Sequence, residues 1–393
     1  MSSADKTDWI LERARREGFD LCGVASAEDW PELARLPEWL DRGHAGEMKY
    51  LHDARRNSID AAMPGARSVI VCALNYNTTK PYSIEAAAGT AAAGNGDAPR
   101  GWISRYAWGD DYHEVLGAKL ESLTAAIRAE FGSEVSAKWY VDTGPILERV
   151  AALHAGLGWL AKNTLLINRD LGSWLFLGVI LTTLELAPTS ASDVESASGA
   201  ASARTAGFPR AEAQTTTRDA ANLPAADLCG QCTLCIDACP TNAIVEPYLL
   251  DARKCISYLT IELRGAIPEE LRAQIGRQVF GCDICQDVCP WNRNSPASEE
   301  KSFQPRENLF APDLEWLASL NEKQFRETFR GSPIKRAKWR GLIRNACVAL
   351  GNSQLNPDSP SYSRILTLLT RLAASSDALI GEHARWAIAR LRG

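Results

Sequence analysis

Eight of the eleven cysteines lie between residues 229 and 289 at spacings typical of metal ligands. The run CGQCTLCIDACP begins at Cys229 and ends at Pro240, and its four cysteines follow the spacing C-x2-C-x2-C-x3-C-P. The run CDICQDVCP begins at Cys282 and repeats this spacing with one cysteine fewer. Thiolates at this spacing, followed by proline, are typical of [4Fe–4S] clusters. The two runs therefore predict two clusters, one of which needs a ligand from elsewhere.

The cysteines can be divided into two sets of four ligands. In two-cluster proteins the last cysteine of a run ligates the other cluster. One cluster is therefore predicted to be held by Cys229, Cys232, Cys235 and Cys289. The other is predicted to be held by Cys239, Cys282, Cys285 and Cys255, the last being the economical choice because it lies between the two runs. Zinc is the alternative, since C-x2-C pairs also bind Zn²⁺. The isolated cysteines, which lie in apolar stretches, are predicted to be core thiols: Cys22, Cys72 and Cys347.

Length and composition limit the setting in which these thiols work. A chain of 393 residues predicts two to three domains, and 46% hydrophobic with 23% charged residues is ordinary for a globular protein. The net charge of −5 means that any surface for a polyanion must be local. The N-terminal segment has a charged amphipathic pattern without an apolar signal region, and no apolar run approaches the roughly 20 residues of a membrane span. We therefore expect a cytoplasmic protein that contacts no membrane.

The surrounding elements predict an α+β multidomain protein. Residues 1–185 mix helical and strand patterns, including buried strands at 68–76 and 173–184 and a long helix that ends at Gly132. Two Ala/Gly/Ser-rich stretches, 79–99 and 186–224, carry few large apolar residues and are predicted to be a flexible insertion and a disordered linker. Residues 225–300 form the predicted two-cluster domain. Residues 301–393 are predicted to be helical, with a weak pattern of stacked helical repeats.

Several longer motifs resemble epoxyqueuosine reductases. They occur in the same order along nearly the whole chain: RYAWGDDYH (105–113), VDTGP (141–145), GLGWLAKNTLLI (156–167), GSWLFLG (172–178), RKCISYLTIELRGAIP (253–268), WRGLIRNACVALGN (339–352) and EHARWAIARL (382–391). The resemblance implies a nitroreductase-like cobalamin-binding α/β domain, a ferredoxin-like domain with two [4Fe–4S] clusters and a HEAT-like helical tail. It also implies reduction of epoxyqueuosine to queuosine at the tRNA wobble position, the last step of queuosine biosynthesis. Electrons from an external donor would pass through the clusters to make Co(I), which attacks the epoxide.

Asp142 is the proton donor that the resemblance implies. The alternative is local, because an aspartate shortly before Gly144 and Pro145 suits a helix N-cap. To donate a proton at neutral pH, its carboxyl must have a pKa above the ordinary value, which burial against a corrin ring and apolar walls could cause.

The resemblance also implies cobalamin contacts, in addition to Asp142, at Arg56, Lys162, Asn163, Ser173 and Ser257. Turns and loop hydroxyls are the ordinary alternatives for these residues. His113 lies in DYHEVLG, which resembles the D-x-H-x-x-G motif of proteins whose histidine binds the cobalt of cobalamin. Leu116, however, occupies the position of the motif's glycine. We therefore expect His113 to be a helix-start or pocket residue.

A local basic run is the predicted tRNA surface. Residues 330–345 contain six cations and no acid, namely Arg330, Lys335, Arg336, Lys338, Arg340 and Arg344. Arg253, Lys254 and Arg264, on either side of Cys255, are predicted to bind phosphates nearer the active site. A solvated helix face is the alternative for the longer run.

Reductive dehalogenation is the alternative to tRNA modification. A corrinoid reductive dehalogenase acting on a small organohalide would share the clusters and the corrin, but it would have no use for a basic helical tail. We expect instead a monomer that takes electrons from an external donor and binds the tRNA anticodon stem-loop.

Overall fold

The computed structural model describes residues 1–87, 98–194 and 227–393. The strands of these residues are β1 (Leu21–Ser26), β2 (Ser68–Asn75), β3 (Trp102–Ile103), β4 (Ala137–Tyr140), β5 (Trp159–Leu160), β6 (Leu166–Ile167), β7 (Leu175–Thr182), β8 (Ile244–Glu246), β9 (Leu249–Leu250) and β10 (Gln278–Phe280). The helices are α1 (Ser3–Arg16), α2 (Arg35–Asp41), α3 (Ile59–Ala62), α4 (Ser83–Ala87), α5 (Tyr112–Phe131), α6 (Glu148–His154), α7 (Leu234–Asp237), α8 (Ile256–Ile261), α9 (Glu269–Arg272), α10 (Ile284–Asp287), α11 (Leu314–Ser319), α12 (Glu322–Thr328), α13 (Lys338–Gly351), α14 (Pro360–Ala373) and α15 (Ala378–Arg392).

An antiparallel sheet organises the first part of the chain. Its strand order is β1-β2-β7-β4, and its two central strands are those predicted at 68–76 and 173–184. Successive side chains of β2 point to opposite faces, because side chains alternate along a strand. Ile70, Cys72 and Leu74 pack with α1 and α5, whereas Val69 and Val71 pack with α6. The sheet is therefore covered by helices on both faces, which explains the continuous apolar run of β2.

The predicted helices of this region are confirmed. α1 ends just before Gly18, whose φ of +82° suits glycine. α5 ends at Phe131, and its N-cap is Asp111, whose side chain accepts a hydrogen bond from the His113 amide. The isolated thiols are buried as predicted; Cys22 and Cys72 face each other across β1 and β2 with 3.7 Å between their sulfur atoms.

The two predicted low-complexity segments are partly folded, which corrects the prediction. Residues 79–87 include α4, and the buried Ser83 donates its amide N–H to Asp287 at 2.9 Å. Residues 186–194 continue along the sheet domain, where the Thr189 hydroxyl accepts from Val24 N at 2.8 Å and donates to Ala155 O at 2.7 Å. The composition predicted disorder, but a few polar side chains with buried partners order residues 79–87 and 186–194. Residues 88–97 and 195–226 lie outside the described residues.

The cysteine region and the tail share one core with part of the first domain. β3 pairs in parallel with β10, and Trp102, Ile103 and Phe280 belong to the same buried cluster as the tail helices α11 and α13. The tail is helical as predicted, with α13, α14 and α15 packed together. Its assignment to HEAT-like repeats stays a prediction.

α13 packs against the segment between Cys255 and Cys282 through two buried polar residues. Arg344 donates to the carbonyls of Leu259, at 2.6 Å, and Leu263, at 2.8 Å. Asn345 donates to the carbonyls of Thr260 and Val279, both at 2.8 Å. Arg344 is 1% exposed, so its predicted place in the basic surface is wrong. Among the described residues, no helix has both the length and the apolar character needed to cross a membrane.

Candidate active site

Short helices hold the cysteines in two neighbouring loops. α7 lies between Cys232 and Cys239, α10 lies between Cys282 and Cys289, and the two helices are in contact. All eight cysteines are free thiols that are buried or partly exposed. The fold therefore brings the two cysteine runs side by side, although 42 residues of chain separate Cys239 from Cys282.

The neighbours of Cys289 are the cysteines of the first predicted set. Burial raises the pKa of Cys289 to about 12, and the charges of Cys229, Cys235 and Cys232 act in the same direction. Burial likewise raises the pKa of Cys229 to about 11, and the nearby indole of Trp159 partly opposes this. The buried indole N–H of Trp159 is directed toward the Cys229 sulfur and has no other acceptor among the described residues. A donor with no oxygen acceptor suits a cluster sulfur, so the residues fit the group.

The second predicted set is also brought together. Burial raises the pKa of Cys285, and the nearby charges of Cys255, Cys235 and Cys239 raise it further. Burial also raises the pKa of Cys282, and the nearby thiols of Cys285 and Cys255 act in the same direction. Cys255, which has no place in either run, thus lies among the thiols that need a fourth ligand. The division into ligand sets stays a prediction.

Asp142 lies on a loop after β4, in a left-handed backbone conformation with φ of +56°. Its carboxylate accepts a hydrogen bond from the Tyr112 hydroxyl at 2.7 Å, and His113 Nε2 lies 3.9 Å from the same oxygen. Its backbone N–H donates to Glu148 Oε1 at 2.6 Å. α6 starts only at Glu148, with Leu147 as its N-cap, so the interpretation of Asp142 as a helix cap is wrong.

An aromatic stack forms the floor beside this carboxylate. Tyr112 stacks on Phe176 with ring centroids 4.4 Å apart, and Tyr106 meets Tyr112 edge to face. The Asp142 side chain is 64% exposed above this floor. Burial, and then the charge of Asp142, raises the pKa of Tyr112 well above its usual range, so its hydroxyl remains a donor. A polar, exposed acid beside a broad apolar floor fits a flat macrocycle such as a corrin.

Glu148 is the second acid of this site. Burial and the charge of Asp142 raise its pKa well above the ordinary value, and the cations Arg149 and Arg56 only partly oppose them. The neutral form of Glu148 is therefore favoured beside Asp142. Neither Glu148 nor Tyr112 was recognised from sequence as a partner of Asp142. Tyr112 lies in the DYH motif, but nothing in the sequence indicates that Glu148 folds back on the loop.

The predicted cobalamin residues lie near the junction of the sheet domain and the cysteine region. Lys162 Nζ donates to the carbonyls of Gly230 and Cys232, and the buried Ser173 hydroxyl donates to Gln286 at 2.9 Å. The other three also have partners within the chain: Asn163 donates to Cys285 O at 3.4 Å, Arg56 donates to Tyr50 O at 3.3 Å, and Ser257 hydrogen-bonds the Cys255 sulfur. Most of these contacts join the two regions, and any corrin contact stays a prediction.

The predicted tRNA residues are mostly paired with acids. Arg336 binds Glu262 through two 2.9 Å hydrogen bonds, Arg340 binds Asp377, and Arg253 binds Asp251. Lys335 lies 2.7 Å from Asp111, which also binds His113. Arg264 Nη1 donates to Arg336 O at 2.9 Å. Lys254 and Lys338 are exposed and have no acidic partner in the described part of the chain. The basic surface is therefore weaker than its sequence suggests, and its role stays a prediction.

Comparison with known proteins places these observations in a family context. Residues 56–143 match the family model of epoxyqueuosine reductase QueG, DUF1730, and residues 228–292 match the model of the 4Fe-4S double cluster binding domain, which favours iron–sulfur clusters over zinc. The epoxyqueuosine reductase of Pseudomonas aeruginosa is 37% identical over 383 residues, which are 97% of this chain and 93% of that protein. That of Gloeobacter violaceus is 42% identical over 351 residues, covering 88% and 95%.

Solved structures agree with these similarities. A crystal structure of epoxyqueuosine reductase with a tRNA-Tyr epoxyqueuosine-modified tRNA stem loop is similar to this chain with a TM-score of 0.80 and 27% identity, covering 99% of this chain and 91% of that chain. The structure from Bacillus subtilis, with its catalytic loop swung out of the active site, has a TM-score of 0.78 and 26% identity, covering 99% and 91%.

Proposed function

The chain belongs to the epoxyqueuosine reductase family, and we infer from this that it reduces epoxyqueuosine to queuosine at the wobble position of tRNA. It is an oxidoreductase of tRNA queuosine biosynthesis. The observation that carries this function is the identity of 36–42% with epoxyqueuosine reductases over nearly the whole chain. The corrinoid dehalogenase alternative is not favoured, because these relatives extend through the helical tail.

Removing the epoxide oxygen as water takes two electrons and two protons. The double-cluster domain supplies sites for two [4Fe–4S] clusters, each of which passes one electron at a time. The predicted ligands for the first are Cys229, Cys232, Cys235 and Cys289, and those for the second are Cys239, Cys255, Cys282 and Cys285. Support for the first set comes from Cys289, whose cysteine neighbours are Cys229, Cys232 and Cys235, whereas Cys285 has Cys235 as a neighbour in addition to Cys255 and Cys239.

A cobalamin on the aromatic floor beside Asp142 is the second part of the proposal. Cobalamin, when bound, supplies a reduced cobalt centre that attacks an epoxide carbon. The residues that would hold it are the Tyr106–Tyr112 floor and the predicted contacts Arg56, Lys162, Asn163, Ser173 and Ser257.

Asp142 would deliver a proton to the departing epoxide oxygen. Tyr112 fixes the orientation of the Asp142 carboxylate through its 2.7 Å hydrogen bond, and Glu148 fixes the loop backbone at 2.6 Å. An acid whose side chain is 64% exposed is reachable by a nucleotide substrate.

The cellular setting and the oligomeric state follow from the proposed substrate and the thiol count. A tRNA substrate places the reaction in the cytoplasm, and the electrons come from an external donor. A monomer suffices, because one chain carries all eight thiols and Asp142.

The proposal is tested with the anaerobically purified protein, reconstituted with iron, sulfide and cobalamin. It is incubated with a chemical reductant and with tRNA from a strain that lacks the activity, and the nucleosides are analysed. Conversion of epoxyqueuosine to queuosine is expected. Unchanged epoxyqueuosine with fully loaded protein would contradict the proposed reaction, and dehalogenation of a small organohalide by the same protein would favour the alternative.

A further inference from the structure

Tyr50 is an exposed aromatic side chain at the edge of the candidate active site. It lies in the 3-10 turn Lys49–His52 and is 46% exposed. Few large apolar or aromatic side chains in the described residues are this exposed. Single exposed residues of this kind are common on protein surfaces, so only the position of Tyr50 beside Arg56 and Arg336 points to a ligand.

The segment before Tyr50 is fixed by the cysteine region. Gly46 has a φ of +57°, and a side chain there would meet the Tyr258 hydroxyl. That hydroxyl accepts a hydrogen bond from the Glu47 amide N–H at 2.8 Å. The Glu47 carboxylate accepts from the Arg264 amide at 3.0 Å. These contacts fix the backbone of the segment that carries the Tyr50 ring.

Two guanidinium groups flank the ring. Arg336, from the tail, lies 5.6 Å from the ring centroid and is held there by Glu262. Arg56 lies 6.0 Å away and also reaches the Ile146 carbonyl, on the loop that carries Asp142. Tyr50 thus stands where the sheet domain, the cysteine region and the tail meet.

Arg56 connects Tyr50 to the loop that carries Asp142, because its guanidinium lies beside the Tyr50 ring and reaches the Ile146 carbonyl at 3.5 Å. Burial raises the pKa of Tyr50 to about 12, and the charges of Glu262 and Asp142 contribute in the same direction. The hydrogen bonds that Arg336 donates to Glu262, together with the charge of that carboxylate, raise the pKa of Arg336. Because Arg56 links the Tyr50 ring to this loop, a nucleotide whose modified base reaches Asp142 would bring its neighbouring bases toward Tyr50.

Single-stranded RNA is recognised by stacking of its bases on aromatic rings and on arginine planes. We propose that Tyr50, supported by Arg336, is a stacking site for an unpaired base next to the wobble nucleotide of the RNA substrate. This inference rests on the proposed function and adds a contact that is independent of phosphate charge. It also explains why Arg336 is neutralised by Glu262: a guanidinium paired with a carboxylate retains its plane for stacking but offers less charge to a phosphate.

The test measures binding of an anticodon stem-loop to the cofactor-loaded protein. Tyr50→Ala should raise the Kd by about 5- to 150-fold, the loss of affinity expected for one stacked base. Tyr50→Phe and Tyr50→Trp should bind like the wild type, because both keep an aromatic face. The slope of log Kd against log salt should not change in Tyr50→Ala, since no charge is lost.

A double-mutant cycle assigns the base. Stem-loops with an abasic nucleotide on either side of the wobble position are compared in wild-type and Tyr50→Ala protein. One of the two should weaken wild-type binding yet have little further effect on the variant. Additive losses at both positions, or a Tyr50→Ala protein with wild-type affinity, would overturn the inference and leave the proposed reaction intact. A Tyr50→Ala protein that loses bound cobalamin but keeps its stem-loop affinity would also overturn it, whereas a wild-type protein that binds no stem-loop would overturn the proposed function itself.

Discussion

Asp142→Asn is the substitution that separates proton donation from structure at the candidate active site. Asparagine retains an oxygen that can accept from the Tyr112 hydroxyl, which lies 2.7 Å from Asp142, and it leaves the backbone hydrogen bond to Glu148 untouched. Like aspartate, it tolerates the left-handed conformation found at this position, where φ is +56°. The capacity to release a proton is lost, together with the negative charge of the ionised carboxylate.

The expected magnitudes differ sharply between stability and turnover. Because the Asp142 side chain is 64% exposed and both of its hydrogen bonds can be kept, the free energy of unfolding should change by less than about 0.5 kcal/mol. Loss of a general acid should lower turnover by roughly 10²–10⁴-fold. That is an increase of about 2.7–5.4 kcal/mol in the activation free energy.

The assay compares single-turnover conversion of epoxyqueuosine tRNA by wild type and variant, with iron and cobalamin contents shown to be equal. Asp8→Asn, which removes an exposed carboxylate on α1, serves as the control for charge and should keep wild-type turnover. A fully loaded Asp142→Asn protein with near-normal turnover would refute the donor role, and another acid or a water molecule would have to carry the proton.

Other predictions concern the clusters, the tail and the second acid. Cys255→Ala should lower bound iron from about eight toward four atoms per chain, and full iron with unchanged cluster spectra would disprove its ligand role. Lys338→Glu should weaken stem-loop binding and reduce the salt slope by about one, whereas an unchanged slope would return Lys338 to a solvated surface. Glu148→Gln should have a larger free energy of unfolding than the wild type at pH 8. The pKa of Glu148 is raised in the folded protein, so folding favours its protonated form. The wild type therefore loses the stability contributed by this form as the pH rises through the folded-state pKa. Melting curves should show the gap closing toward pH 5, and a gap independent of pH would mean that ionisation of Glu148 is not its cause.

The elements that could be predicted from sequence are those whose signal is local. The buried strands β2 and β7, the capped helix α5 and the cysteine spacing all depend on neighbouring residues, and each was located correctly. Family resemblance located Asp142 but not what holds it. The Glu148 contact spans only six residues, but no capping or turn motif in the sequence marks it. The Tyr50 site depends on segments far apart in the chain, which carry no common local pattern.

The basic run shows the opposite failure. Counting charges between 330 and 345 treats every cation as available, yet Arg344 is buried against carbonyls and Arg336 and Arg340 are matched by Glu262 and Asp377. The acids lie in other parts of the sequence, so the local count overestimated the positive surface. Similarly, the composition of residues 79–87 hid the single buried serine that anchors them to Asp287.

The contacts of α13 have a consequence for biosynthesis. Arg344 and Asn345 bind carbonyls that lie between Cys255 and Cys282, but the ribosome makes both residues after all eight cysteines. Until α13 emerges, those carbonyls face water and Cys255 and Cys282 lack their final backing. The thiols must therefore remain reduced while about sixty further residues are synthesised, a few seconds at ordinary elongation rates. During this interval the clusters could be inserted either before the tail helices pack against the cysteine region or while they do so. The tail helices would then cover the cysteines that hold the clusters.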